Sequence, residues 1–233
     1  MHVGGLQKNS FIDYPNKMSC VIFLSGCNFH CPYCHNPSLV GNKARTSPPV
    51  FNDGYVFNFL KTHKSFLDGV VISGGEPTCQ KDIFLLCERI KKLNYPIKLD
   101  TNGSNPAIIQ QLIQTGLIDY VAMDIKTHPD NYSPILMDVD SSQSIYQSIE
   151  IIMKSSVSYE FRTTCLSPFI DEIILKDILN LIHGASTYVL QRYHNATILN
   201  DDYIKNHTSV IQDDQLMQFQ SMANQKVAHC FVR

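Results

Sequence analysis

The sequence predicts an α/β fold, a partial (β/α)6 TIM-like barrel, on three observations. Six strand-like runs alternate with helical patterns, no low-complexity linker separates them, and nearly every strand ends in polar residues. Alternation of this kind makes a parallel sheet with helices outside, and right-handed crossovers curl such a sheet toward a barrel. In parallel α/β sheets, ligands and chemistry sit at the carboxyl ends of the strands, so residues there carry the functional argument.

The first predicted strand, 18–24, contains the apolar run Cys20-Val-Ile-Phe-Leu24 and leads into Ser25-Gly-Cys27-Asn-Phe-His-Cys31-Pro-Tyr-Cys34-His35-Asn36-Pro37. A helix over 54–64 and a strand over 69–73 follow, the latter ending in Gly74-Gly75-Glu76-Pro77, where glycines let a backbone approach a ligand. After a helix over 81–93, the strand 96–100 ends in Asp100-Thr101-Asn102-Gly103. A helix over 106–115 leads to the strand 119–124 and to Asp124-Ile125-Lys126. The helix 142–154 precedes the strand 158–163, with Arg162 near its end, and the helix 171–183 precedes the strand 187–192, which closes on Gln191-Arg192-Tyr193-His194. A helix over 213–224 and a short closing strand within 226–232 complete the chain. The expected organisation is one domain, 1–233, with an N-terminal extension 1–17, a cysteine loop 25–37 and a closing segment 213–233.

Composition narrows the function. The chain has 233 residues, net charge −2 and only 17% charged residues, so no basic face points to nucleic acid. Its start lacks a basic segment followed by an apolar core, and no run reaches membrane-spanning length. The expectation is a cytoplasmic protein that engages no membrane. There its eight cysteines serve as reduced thiols and metal ligands rather than disulfides.

Cys27, Cys31 and Cys34 supply three thiolates from one loop. Iron–sulfur clusters normally take four, so three imply either an absent partner or an iron open to another ligand. Cys31-Pro-Tyr-Cys34 also fits a dithiol oxidoreductase, and adding His35 fits a haem attachment site, which needs export. A zinc site would recruit His30 or His35 as its fourth ligand. Taken singly, the other rim motifs are ordinary: Asn102-Gly103 is a turn dipeptide, Asp124 and Lys126 an ion pair, Arg162 and His194 structural or solvated residues. Their joint placement on successive strand ends favours a shared site.

These motifs resemble the radical S-adenosylmethionine (SAM) enzymes, whose cluster motif is C-x3-C-x2-C and whose second motif is Gly-Gly-Glu. Asp13-Tyr-Pro15, the loop 27–37, Asp100 through Gly103, Asp124 through Lys126 and Tyr193-His194 resemble the glycyl-radical-enzyme activases in that superfamily. Residues 5–15 and 21–28 resemble most the activating proteins of anaerobic ribonucleoside-triphosphate reductases. The resemblance implies one [4Fe–4S] cluster held by Cys27, Cys31 and Cys34, with SAM chelating the fourth iron and yielding a 5′-deoxyadenosyl radical on reduction.

By the same resemblance, Gly74, Gly75 and Glu76 receive the SAM amino group. Lys126, or less directly Arg162, meets its carboxylate. Tyr33 lies against adenine and His194 contacts the nucleoside, with His35, Thr101, Asn102 and Ile125 in the segments around the cofactor. Asp100 and Asp124 together hold a monovalent cation. The implied partners are a glycyl radical enzyme, with anaerobic ribonucleotide reductase favoured and pyruvate formate-lyase or another as the alternative, and a flavodoxin or ferredoxin-type donor; another radical SAM reaction, on a peptide or a small molecule, would use the same cluster and SAM residues. No side chain serves as general acid or base. Residues 35–73 contain no cysteine, so no second cluster is expected there.

Overall fold

The structure, a computed structural model, describes residues 2–40, 50–132, 136, 142–194 and 197–233. By internal contacts the chain forms two compact units, one of Met1–Phe29, Ser38–Thr101 and Ala107–Val121, the other of His30–Pro37, Asn102–Pro106 and Ala122–Arg233.

In the first unit β1 (Val3–Ser10) pairs antiparallel with β2 (Ser19–Leu24), which pairs in parallel with β3 (Gly69–Gly74), itself parallel to β4 (Ile97–Thr101). The interior strands are buried almost end to end: Cys20, Ile22, Leu24, Val70, Ile72, Ile97 and Leu99 are all inaccessible. Such continuous apolar runs are what a parallel sheet covered on both faces requires. Helix α1 (Asp53–Thr62) begins where the Asn52 side chain accepts the Tyr55 N–H at 2.8 Å. Helix α2 (Ile83–Lys91) buries Ile83, Leu86, Cys87 and Ile90, spaced for one helical face. Helix α3 (Pro106–Gln114) starts on a proline, whose missing N–H costs nothing in a first turn.

Strand β5 (Tyr120–Asp124) passes from the first unit to the second. The second unit then contains helix α4 (Ser142–Lys154), β6 (Ser158–Ser167), α5 (Glu172–Leu181), β7 (Thr187–Arg192), α6 (Asp201–His207), β8 (Ser209–Val210), α7 (Asp213–Ala223) and β9 (His229–Val232). Here β6 and β7 are parallel, β7 and β9 are parallel, and β8 pairs antiparallel with β6. Asp171 caps α5 by accepting the Ile174 N–H at 2.8 Å, while Ile145, Ile149 and Ile152 turn one face of α4 inward.

All six expected strands form, and β9 supplies the expected closing strand. Three elements depart from the sequence expectation. The extension 1–17 contains β1, whose Gly-Gly and Gln-Lys-Asn composition carries little strand signal and which forms by pairing along the edge of β2. Helix α6 and the two-residue β8 are the others, and α6 is a short helix held by an Asn200 cap and an Asp201–Lys205 ion pair. Among the described residues, no helix is long and apolar enough to cross a membrane.

Candidate functional site

In the first unit, the end of β2 and the Gly-Gly-Glu turn after β3 are laced together through backbone. Gly75 N–H donates to Leu24 O and Glu76 N–H to Gly26 O, both at 2.8 Å, while Gly26 N–H reaches Leu39 O at 2.7 Å. Gln80 adds a side-chain bond to Ser25 O at 2.7 Å. Gly74 has φ of 116°, which side chains rarely adopt, and a Cβ on Gly75 would stand 2.2 Å from Gly26 O. The two glycines are thus required by the approach of two backbones. Gly75→Ala is expected to cost about 1–3 kcal/mol through forced displacement and to lower iron loading of the neighbouring cysteine loop, checked by denaturant unfolding and iron analysis. Cys27, half-buried on this loop, accepts the Phe29 N–H at 3.4 Å.

Glu76 is fully buried, and its Oε1 accepts Thr78 N–H (3.0 Å), Thr78 Oγ1 (2.6 Å) and Thr101 Oγ1 (2.8 Å). The carboxylate therefore caps the 3-10 turn Pro77–Cys79 and ties it to the end of β4. Two residues before Thr101's neighbour Asp100, Lys98 is buried and its ammonium bonds Asp100 Oδ1, while Ser73 Oγ lies 3.3 Å from Oδ2.

In the second unit, Cys31 is buried and Cys34 half-buried, joined by a turn in which Cys34 N–H donates to Cys31 O at 3.0 Å. Burial pushes the Cys31 thiol up to about 11, opposed by the Lys126 cation. Burial likewise raises Cys34, again against Lys126. Tyr33 is buried edge-on to Phe169, ring centroids 4.8 Å apart, and its hydroxyl has no hydrogen-bond partner among the described residues. His35 stacks on Tyr193 at 5.9 Å; burial, then the positive fields of His194 and Lys126, lower its basicity. His194 itself is exposed. The Asn102 side chain accepts the Ser104 N–H at 2.9 Å, which makes it a turn-forming residue here.

Asp124 anchors a compact ion cluster, with Lys126 Nζ at 2.8 Å from Oδ2 and Arg162 Nε at 2.7 Å from Oδ1. Burial alone would raise the carboxyl, but the two cations outweigh it and hold it well below the usual carboxylate range. Burial works against the Lys126 ammonium too, and Asp124 and Cys31 more than offset it, leaving it above the ordinary lysine value. Tyr132, fully buried, accepts the Lys126 backbone N–H at 2.9 Å, and Ile125 is fixed between Arg162 O and the Thr163 hydroxyl.

Among the described residues, no group of three His, Cys, Asp or Glu side chains is gathered as a finished metal cage. The donor chemistry nevertheless fits an iron–sulfur cluster: none of the three loop cysteines is bridged in a disulfide, and at Cys31 and Cys34 the Lys126 cation partly offsets the burial that holds the thiols protonated. Sequence patterning missed Lys98, Thr78, Tyr132 and Phe169. For Lys98 a signal existed, since Lys98 and Asp100 alternate with Ile97 and Leu99 and so share one face of their strand.

The Radical SAM superfamily profile matches residues 21–183. A Methanocaldococcus jannaschii protein named as a glycyl-radical enzyme activating enzyme is 34% identical, over 99% of this chain and 95% of its own length. The pyruvate formate-lyase-activating enzyme of Streptococcus mutans is 31% identical over 48% of this chain and 46% of that one. Among solved structures, Streptococcus suis SuiB bound to S-adenosylmethionine superposes with a TM-score of 0.66 at 15% identity, covering 91% of this chain and 49% of that chain, a likeness of fold. With its cysteine loop, its Gly-Gly-Glu turn and its parallel α/β strand pairing, the chain belongs to the radical SAM superfamily and, within it, to the glycyl-radical enzyme activating enzymes.

Proposed function

We propose that this oxidoreductase installs a glycyl radical on anaerobic ribonucleotide reductase, drawing its electron from a flavodoxin or ferredoxin, with the whole chain acting as one catalytic domain. The observation that carries the activating role is near full-length similarity to the M. jannaschii activating enzyme. The choice of reductase rests on residues 5–15 and 21–28, which resemble that activase subgroup.

Family membership implies a [4Fe–4S] cluster and SAM, which supply the low-potential radical chemistry when bound. The chain's own residues then bind, orient and exclude. Cys27, Cys31 and Cys34 are the thiolate ligands. The Gly74-Gly75-Glu76 turn presents a buried anion suited to the SAM ammonium, held in place by Thr78 and Thr101. Lys126 and Arg162 offer cations of the sign that a carboxylate needs, oriented by Asp124. Tyr33, His35 and His194 form the aromatic side that receives the nucleoside, where stacking and apolar area supply affinity.

A monovalent cation is left out of this reading, because Asp100 and Asp124 each already have a cationic side chain of this protein as partner. Glu76→Gln tests the site directly. The amide oxygen still accepts the threonine donors, so folding is expected to hold, whereas loss of the charge-assisted bond raises the KM for SAM by about tenfold or more. Unchanged KM would remove Glu76 from the cofactor site.

A further inference from the structure

Among the described residues, Lys98 is the buried cation that the roles above leave unused. Its side chain is 1% exposed on β4, and lysine is almost never buried at that level unless paired. The pairing is present: the ammonium bonds Asp100 Oδ1, and the Ser73 hydroxyl lies within reach of the other carboxylate oxygen. The same ammonium stands over the Tyr120 ring, 6.0 Å from its centroid. Residue parity explains the geometry, because Lys98 and Asp100 are two apart on one strand and project to one side, while Ile97 and Leu99 fill the other side of the sheet. The next residue, Thr101, hydrogen-bonds Glu76. Asp100 therefore stands one peptide away from a residue that holds the Gly-Gly-Glu carboxylate.

An ammonium carries the same charge as a potassium or sodium ion, but it is tethered and its occupancy does not depend on salt. We propose that Lys98 is a built-in counter-cation that fixes the Asp100 carboxylate at the end of β4 in place of a dissociable monovalent cation. The link to the cofactor rests on the radical SAM reading above; the Lys98–Asp100 pair itself does not. The second acid implied for such a cation, Asp124, is engaged independently by Lys126 and Arg162. The donor set thus does not suit a mobile ion, because its carboxylates are already neutralised by fixed charges.

The test uses the full-length protein without cluster or SAM. Thermal unfolding is followed in potassium, sodium, rubidium and choline chlorides at equal ionic strength, for the wild type, Lys98→Met and Lys98→Arg. The expected result is one melting temperature for the wild type in all four salts. Lys98→Met should melt lowest in choline and be rescued saturably by one of the alkali cations, while Lys98→Arg follows the wild type. A saturable, ion-specific rise in the wild type equal to that in Lys98→Met would overturn the proposal. So would a loss in Lys98→Met that no cation restores, which would make Lys98 structural only.

Should Lys98→Met fail to fold, thallium-205 NMR of the wild type decides. An unbroadened thallium line supports the proposal, and a line broadened by the protein and sharpened by potassium refutes it. In the reconstituted enzyme, 5′-deoxyadenosine formation is expected to be independent of the monovalent cation. Complete failure to cleave SAM would count against the functional reading and leave the apoprotein result standing.

Discussion

Asp124→Ala is expected to destabilise the fold by about 1–3 kcal/mol, the cost of leaving two part-buried cations without their hydrogen-bonded partner. Here the loss is shared by two cations, Lys126 at 2.8 Å and Arg162 at 2.7 Å. The same cluster gives a signed pH dependence. The folded carboxyl lies well below its unfolded value of about 3.9, so its contribution is complete above about pH 5 and is lost as pH falls through the unfolded value toward the folded one. Lys126 acts oppositely: its folded value is raised, so its contribution is present below the unfolded lysine value of about 10.4 and lost as pH rises toward the folded one. Chemical denaturation across acid pH should therefore show a slope in the wild type that Asp124→Asn lacks. Parallel slopes in the two proteins would show that the cluster does not set acid stability.

The second large effect falls on chemistry rather than stability. Each of Cys27→Ala, Cys31→Ala and Cys34→Ala is expected to abolish iron and sulfide retention and to lower SAM cleavage by more than about a hundredfold, the upper range for losing only an outer-shell partner. Cys87→Ala is the control. That thiol is wholly buried in α2 and pushed up to about 12 by its surroundings, so it is a core group with no thiolate to offer. A cluster that survives all three loop substitutions would contradict the ligand assignment. Because the Cys31 thiol sits near 11 through burial, cluster assembly should also release protons and slow as pH falls.

The cysteine loop and the Gly-Gly-Glu turn were legible in the sequence because their chemistry resides in residue type and spacing. The interior strands were legible for a related reason: Cys20-Val-Ile-Phe-Leu24 and Val70-Val-Ile72 are apolar on both faces, a pattern that only burial explains. Strand β1 was not, since its residues 4–5 are glycines and the following Gln-Lys-Asn breaks any apolar pattern, so only its pairing with the next strand reveals it. Helix α6 was obscured by its brevity, although Asn200, Asp201 and Lys205 mark its ends in retrospect.

At the site, sequence placed Asp124, Lys126 and Arg162 on adjacent strand ends but could not show one carboxylate serving both cations, because that depends on the register of β6 at Arg162. The sequence also showed Asp100 and Asp124 as two acids at strand ends, but not that Lys98 on Asp100's own strand bonds that carboxylate. Glycines 74 and 75 are explained twice over, by the backbones they bring together and by the turn that presents Glu76. Tyr33 shows the limit of patterning most clearly. Its position between two ligands marked it for the cofactor, but the contact with Phe169 that sets its ring comes from a residue more than a hundred positions away.

The most direct test of the account is an EPR measurement after anaerobic reconstitution with iron and sulfide, reduction, and addition of SAM and an anaerobic ribonucleotide reductase. The expected result is a glycyl doublet that requires both proteins and SAM, with 5′-deoxyadenosine formed in step with it. SAM cleavage with no doublet on that reductase would contradict the proposed partner, and the absence of both cluster and SAM cleavage would contradict the catalytic account as a whole.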